Sequence, residues 1–335
     1  MRSGTVKEIF NTSTLPWVIV LAGGSGRRLL PLTQAMTGSQ LPKQFCSFGG
    51  GKSLLQETLA RIRPVLDPTR TLVVVTTPYR DVAREQVSLV PGITLVEQPL
   101  DRGTAPGVLL PLIHIHRRDP EATVVLLPSD HGIRNTALLN QGLLAARSMV
   151  EQNASMIVVG GVKASRASTD FGWIVPGGGP LESKHAVTFR RIEYFVEKPP
   201  EKEAEVLFRS GGLWSTFILV AKAGTLLDLF RSRLQEVTEF FHHYATMKRP
   251  GAETWLRKNY RDLPAADFST DILSSRADLA VLAWPEDLGW ADLGTPQRLI
   301  DWLARHGNLD SVLQNWTRTT GSKEKVRRLL SSLSG

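Results

Sequence analysis

The chain has 335 residues, 42% of them hydrophobic and 21% charged, with 40 Lys and Arg against 32 Asp and Glu for a formal charge of +8. This is neither the apolar-poor composition of a disordered chain nor one with an apolar run approaching the roughly 20 residues that cross a bilayer. Its single cysteine, Cys46, excludes an internal disulfide and a cysteine-cluster zinc site and points to the reducing cytoplasm.

The first element expected is a buried strand at residues 17–22, apolar and β-branched, running straight into glycines. A signal peptide is not expected there, because Glu8 interrupts the basic start and Pro16 precedes the apolar stretch. Similar runs recur at 72–77, 93–97, 123–127 and 156–162, and helical stretches at 79–89, 104–117 and 136–152 lie between most of them. Continuous apolar strands alternating with helices predict a mainly parallel sheet covered on both faces. After Gly161 the texture changes to Gly/Pro turns at 176–180 and an alternating strand at 188–197, which predicts an antiparallel portion. The expected fold class is therefore α/β: a Rossmann-like mixed sheet flanked by helices, in one domain over 1–305 with a polar tail at 306–335. The basic run at 323–328 reads as a solvated helix end. The other basic residues are scattered and fit no nucleic-acid-binding pattern, so neither nucleic acid nor a membrane is expected as partner. Phosphorylated small molecules would also suit the positive charge.

The glycine loop after the first strand, Gly23-Gly24-Ser25-Gly26, offers backbone N–H groups to a phosphate. A dinucleotide fold would need a second strand closing a unit of about 30 residues and an acid about 20 residues on. Here the next strand begins near Leu72 and that position falls near Cys46. A Walker loop is nearly offered by Gly49-Gly50-Gly51-Lys52-Ser53, but its first glycine would be Cys46 and no strand precedes it; Ser53 reads instead as a helix N-cap. The third reading adds the cations that follow the first loop. Arg28 and Lys43 suit a nucleoside triphosphate, whose charge needs more than N–H donors.

With Pro31-Leu32-Thr33 and Pro42-Lys43-Gln44-Phe45 after the loop, the chain resembles the sugar-phosphate nucleotidyltransferases, and among them the mannose-1-phosphate guanylyltransferases. The resemblance covers roughly residues 17–300 and rests on motifs in order. They are Glu97-Gln98-Pro99, Arg102-Gly103-Thr104-Ala105-Pro106, Leu127-Pro128-Ser129-Asp130-His131, Phe171-Gly172-Trp173-Ile174, Phe195-Val196-Glu197-Lys198-Pro199 and Gly289-Trp290-Ala291-Asp292-Leu293-Gly294. It implies the nucleotide-diphospho-sugar transferase fold and Mg²⁺-dependent transfer of GMP from GTP to mannose 1-phosphate. It further implies Arg28, Lys43 and Asp130 as catalytic, and Asp130 and Asp292 as metal ligands. The nucleotide would meet Leu21, Ala22, Gly23, Gly24, Gly26, Arg28, Lys43, Thr104 and Ala105, with Glu97 accepting the guanine N1–H and N2–H₂ pair. The sugar phosphate would meet Gly172, Glu197, Lys198 and Ser215.

The chain departs from the family's common pattern at Ser215, where asparagine usually follows tryptophan, at Gly103, where Arg-Asn-Thr-Ala is usual, and at Arg27, often Thr or Ser. These departures leave open another sugar 1-phosphate or NTP, or a weakly active nucleotide-sugar sensor. A homodimer is also left open, since nothing in the sequence fixes the oligomeric state. His114 with His116, and His242 with His243, are read as surface histidines rather than ligands.

Overall fold

The computed structural model describes residues 15–48, 51–184, 187–248, 250–274, 278–306, 313–314 and 316–317. The basic run at 323–328 and most of the 306–335 tail lie outside them.

The strands are β1 (Trp17–Leu21), β2 (Thr71–Thr76), β3 (Thr94–Gln98), β4 (Thr123–Pro128), β5 (His131–Ile133), β6 (Ile157–Lys163), β7 (Gly172–Lys184), β8 (Val187–Glu197), β9 (Leu213–Lys222), β10 (Leu279–Trp284) and β11 (Trp290–Asp292). The helices are α1 (Leu30–Thr37), α2 (Leu54–Arg61), α3 (Arg80–Val87), α4 (Thr104–Arg118), α5 (Thr136–Gln152), α6 (Glu201–Arg209), α7 (Ala223–Arg233), α8 (Gln235–Thr246), α9 (Gly251–Asn259) and α10 (Pro296–Arg305). Among the described residues nine strands form one sheet in the order β3-β2-β1-β4-β9-β6-β10-β8-β7, and β5 pairs with β11 in a separate two-stranded ladder. β1, β2, β3 and β4 pair in parallel, as do β6 and β10; β9 runs antiparallel between β4 and β6, and β7 and β8 close the far end antiparallel. This is the mixed, helix-flanked sheet that the strand–helix alternation predicts, with its antiparallel portion after Gly161.

β1 shows why an all-apolar strand belongs in the middle of such a sheet. Successive side chains point to opposite faces, so Trp17 and Ile19 enter the cluster beneath α4, α7 and α8, while Val18 and Val20 enter the one beneath α2 and α5. All four are buried. A third cluster, with Leu29, Leu32, Phe48, Leu293, Leu299 and Leu303, lies under the glycine loop and α1. Trp316 packs into it with Leu313 alongside. Leu313 and Trp316, three residues apart within the segment read as a polar tail, thus pack against the domain. Ser53 caps α2, accepting from Gln56 N–H at 3.2 Å while Gln56 Oε1 accepts from Ser53 N–H, which accounts for its place in the glycine-lysine stretch. Among the described residues no helix is long and apolar enough to cross a membrane.

Candidate active site

The C-terminal ends of β1 and β4, the β7–β8 hairpin, β9 and β11 surround a cleft of about 420 Å³. It is lined by Leu21, Gly24, Arg28, Lys43, Thr104, Asp130, Gly172, Glu197, Lys198, Ser215 and Asp292. Residues whose numbers span most of the chain therefore meet, at the edge of the sheet where open α/β folds bind ligands.

The glycine loop leaves β1 and is fixed from the Pro42–Phe45 motif. Buried Gln44 donates through Nε2 to Ala22 O at 2.8 Å and Gly24 O at 2.7 Å, which holds the loop open toward the cleft. The neighbouring Lys43 is also buried, and its Nζ stands 3.1 Å from Asp130 Oδ2 and 3.3 Å from Asp292 Oδ1. Asp130 follows Ser129, whose N–H and hydroxyl both donate to Leu21 O, at 3.1 and 2.7 Å. Asp292 is brought to it by the β5–β11 ladder, in which Asp292 pairs with His131 and Trp290 with Ile133. Burial alone would raise the Asp292 pKa, but the charges of Lys43 and Arg298 and the hydrogen bond from Lys43 outweigh it and hold the carboxyl below its ordinary range. Arg298 Nη1 donates to Asp292 Oδ2 at 2.7 Å.

Two carboxylates that converge on one ammonium can converge on a divalent cation, and an all-oxygen donor pair fits Mg²⁺, which takes one or two carboxylates and completes its shell with phosphate and water. Among the described residues no three His, Cys, Asp or Glu gather to hold a metal by themselves, so an ion at Asp130 and Asp292 would share its shell with substrate. His131 stands close by, with Nε2 at 3.8 Å from Asp130 Oδ1, and its Nδ1 accepts the Trp290 indole N–H at 3.1 Å. Burial lowers its pKa against the pull of the two carboxylates, so the ring is neutral, and the indole bond leaves the proton on Nε2, facing Asp130.

At the other end, Gly172 makes room for Glu197. A Cβ on Gly172 would stand 2.6 Å from Glu197 Oε2 and 2.8 Å from Phe195 Cζ. Burial raises the Glu197 pKa, and the Lys198 ammonium at 3.0 Å pulls it part of the way back. Ser215 lines the cleft, but its Oγ already accepts the Phe217 N–H at 3.3 Å. Thr104 begins α4 and is tied to Asp267 Oδ2 at 3.0 Å. Ala22, Gly23, Gly26 and Ala105 are not among the residues that line the cleft.

Glu97 is not among the cleft residues. It accepts from Thr77 Oγ1 at 2.8 Å, pairs with Arg257 at 3.3 Å and Arg80 at 3.5 Å, and lines a different cavity on the β3 side. Its neighbour Gln98 faces the glycine loop instead. Gln98 Oε1 lies 3.0 Å from where a Cβ on Gly23 would be, and its Nε2 donates to Tyr260 OH at 2.8 Å. Strand alternation assigns adjacent residues to opposite faces, so Gln98 rather than Glu97 turns toward the loop. Gly103 has a structural reason of its own. At φ +90° its Cβ would stand 2.2 Å from Ala266 O, so no other residue fits this turn into α4.

The model of the nucleotidyl transferase family matches residues 17–307. The chain belongs to that family. Among its curated relatives, "Mannose-1-phosphate guanylyltransferase 2" of Escherichia coli O157:H7 is 28% identical over 292 residues, covering 84% of this chain and 59% of the relative. "Xanthan biosynthesis protein XanB" of Xanthomonas campestris pv. campestris is 30% identical over 289 residues, covering 84% of this chain and 58% of the relative. This nucleotidyl transferase chain thus spans about three fifths of the length of these relatives. A crystal structure from Thermus thermophilus, described as mannose-1-phosphate geranyltransferase, superimposes with a TM-score of 0.73 at 28% identity over 87% of this chain and 80% of that one. A UDP-glucose pyrophosphorylase complexed with UDP-glucose, 14% identical with a TM-score of 0.54 over 87% of this chain and 97% of the other, shares the fold.

Several cleft residues were missed by the sequence reading. Asp170 pairs with Arg28 at 3.6 Å and with Arg298, whose guanidinium lies over the Phe171 ring at 4.5 Å. Asp267, Ser269 and Phe217 complete the wall. His131 and Phe171 sat inside motifs already identified and could have been found there. Asp170 and Arg298 lie far apart in sequence, and only the fold joins them.

Proposed function

We propose that the chain transfers GMP from GTP to mannose 1-phosphate, releasing pyrophosphate. The observation that carries this reading is Lys43 standing between Asp130 and Asp292, with the glycine loop on one side of the same cleft and Glu197 with Lys198 on the other. The name of the E. coli relative supports the choice of sugar and base. A sugar-phosphate oxygen attacks the α-phosphorus in line, the bond from that phosphorus to the bridging oxygen breaks, and pyrophosphate leaves with the electron pair. Positioning and charge neutralisation carry such a transfer, and no covalent protein nucleophile is needed. Glycine-loop N–H groups and Arg28, turned from Asp170, hold the triphosphate. Lys43 is placed to turn from the carboxylates to a phosphate oxygen. Asp130 and Asp292 would hold Mg²⁺, which when bound neutralises charge on the transferred phosphoryl group. Glu197, paired with Lys198, accepts sugar hydroxyls, and Lys198 meets the sugar phosphate. The buried free thiol of Cys46 suits a reducing compartment.

The test is pyrophosphate release with each of four NTPs against a set of sugar 1-phosphates. GTP with mannose 1-phosphate is expected to give the highest kcat/KM. Faster turnover of another pair would reassign sugar or base, and binding without release would make the chain a sensor.

A further inference from the structure

Among the described residues only Lys198 and Phe217 have a positive φ without being glycine, at +45° and +58°. Both line the cleft. A side chain in the left-handed region crowds the following carbonyl, and such outliers gather where a site demands them. β9 shows how Phe217 is held there. Its register with β6 runs through Val159 opposite Leu219 and resumes with Gly161 opposite Ser215, so residues 216–218 face Gly160 alone. Side chains replace the lost ladder. Thr216 Oγ1 donates to Gly160 O at 3.0 Å and accepts the Ile218 N–H at 3.3 Å, and Ser215 Oγ accepts the Phe217 N–H at 3.3 Å. Thr216 is buried and Phe217 half-buried at the apex, the arrangement by which a bulge beside an active site re-aims a side chain. The Phe217 ring is backed by Phe268, with centroids 6.0 Å apart and planes at 61°. Phe268 is itself anchored through its N–H to Thr104 Oγ1 at 2.7 Å.

We infer that Phe217 is a specificity-determining residue for the acceptor. Its ring is the apolar wall on which the C–H face of a hexose 1-phosphate packs, and its bulk rejects hexoses with a large ring substituent. The inference rests on the proposed nucleotidyl transfer. Ser215, Glu197 and Ser269 line the same cleft and offer the polar groups that sugar hydroxyls need, while an aromatic ring supplies the flat apolar partner. Glycine suits a φ of +58° better than any other residue, so Phe217→Gly removes the wall and leaves the bulge hydrogen bonds of Ser215 and Thr216 in place.

The experiment compares wild type, Phe217→Gly and Phe217→Leu with mannose 1-phosphate and N-acetylglucosamine 1-phosphate. It measures pyrophosphate release at saturating GTP and, separately, binding of each sugar phosphate by calorimetry. Phe217→Gly is expected to shift the preference toward the N-acetylated sugar by at least about 10-fold, mostly through KM of the sugar phosphate, the scale set by small groups in an apolar pocket. Phe217→Leu should lie between, and the melting temperature of Phe217→Gly should not fall. An unchanged ratio in both variants, in an enzyme that turns over, overturns the inference and leaves the proposed reaction standing. Should wild type release no pyrophosphate with any pair, the reaction fails and the calorimetric ratio decides: a shifted ratio upholds the wall, and an unshifted one, or no sugar-phosphate binding at all, overturns it. If Phe217→Gly does not fold, Phe217→Leu decides by the same ratios.

Discussion

Replacing Lys43 with methionine keeps the length of a buried side chain and deletes the cation that two carboxylates share. The Nζ distances are 3.1 Å to Asp130 and 3.3 Å to Asp292, with 30% of the first carboxylate side chain exposed and 15% of the second. At an effective dielectric of 20 each attraction is worth about 5 kcal/mol before desolvation is subtracted. Removing one partner of a buried pair costs about 3–5 kcal/mol, and screening at the more exposed Asp130 brings the expected loss to about 2–3 kcal/mol. For a chain of this size that is a fall in Tm of about 3–4 °C. The variant leaves Asp130 and Asp292 facing each other with only Arg298, on the Oδ2 side of Asp292, as counter-charge, so millimolar Mg²⁺ should raise its Tm by more than it raises that of wild type. The KM for GTP should also rise. Thermal denaturation with and without Mg²⁺, beside steady-state kinetics, reads all three. A Tm within 1 °C of wild type without metal, or an equal Mg²⁺ increment in both proteins, would refute the reasoning that these carboxylates form a cation site held by Lys43 in the absence of metal.

Asp130→Ala and Asp292→Ala should each lower turnover by about 10²–10³-fold while the protein remains folded, the scale of one strong electrostatic contact in a transition state; near-normal rates in either would remove that residue from the mechanism. Gly103→Ala places a Cβ 2.2 Å from Ala266 O at φ +90° and should cost on the order of 2–4 kcal/mol in denaturant melts; an unchanged midpoint would show that the turn into α4 can yield. Burial pushes the Cys46 thiol up from 9.0 to about 12. The folded state therefore keeps a proton that the unfolded chain releases, so this contribution to stability is complete below pH 9 and is lost as pH rises toward 12, by about 1.4 kcal/mol per unit. Denaturant melts between pH 9 and 11 should approach this slope in wild type and show a shallower one in Cys46→Ala; parallel slopes would exclude the thiol as its source.

The sequence carried the sheet because its signal is local. β1, β2, β4 and β6 are short apolar runs whose burial on both faces leaves little choice of environment, and the motif residues fall where those strands end. It expected Glu97 at the nucleotide, whereas Glu97 lines a different cavity and Gln98 turns toward the glycine loop, since β3 is short and its Glu97-Gln98 pair gives no apolar alternation to set which side chain turns inward. Asp170 and Arg298 were illegible for another reason. Neither belongs to a motif, and each gains its place from a partner on a distant element: Arg298 through α10, Asp170 through the turn before β7. Phe217 could not be read at all, because nothing in Thr216-Phe217-Ile218 distinguishes a bulge from a regular strand until Gly160 is seen opposite it.

The β5–β11 ladder also bears on how the protein is assembled. His131 pairs with Asp292 across roughly 160 residues, and closing a flexible loop of that length directly costs about 4–5 kcal/mol. Once β10 has paired with β6, the remaining loop is only about 40 residues, and the cost of adding the ladder falls by about 1 kcal/mol. The order of events is thereby biased: the large sheet zips first and the two carboxylates meet last. A chain still emerging from the ribosome has Asp130 and Lys43 long before Asp292, so the proposed cation site is complete only when nearly all of the domain has been made. Recovery of turnover after dilution from denaturant would then trail recovery of helical signal, which makes the chemistry itself a late reporter of folding.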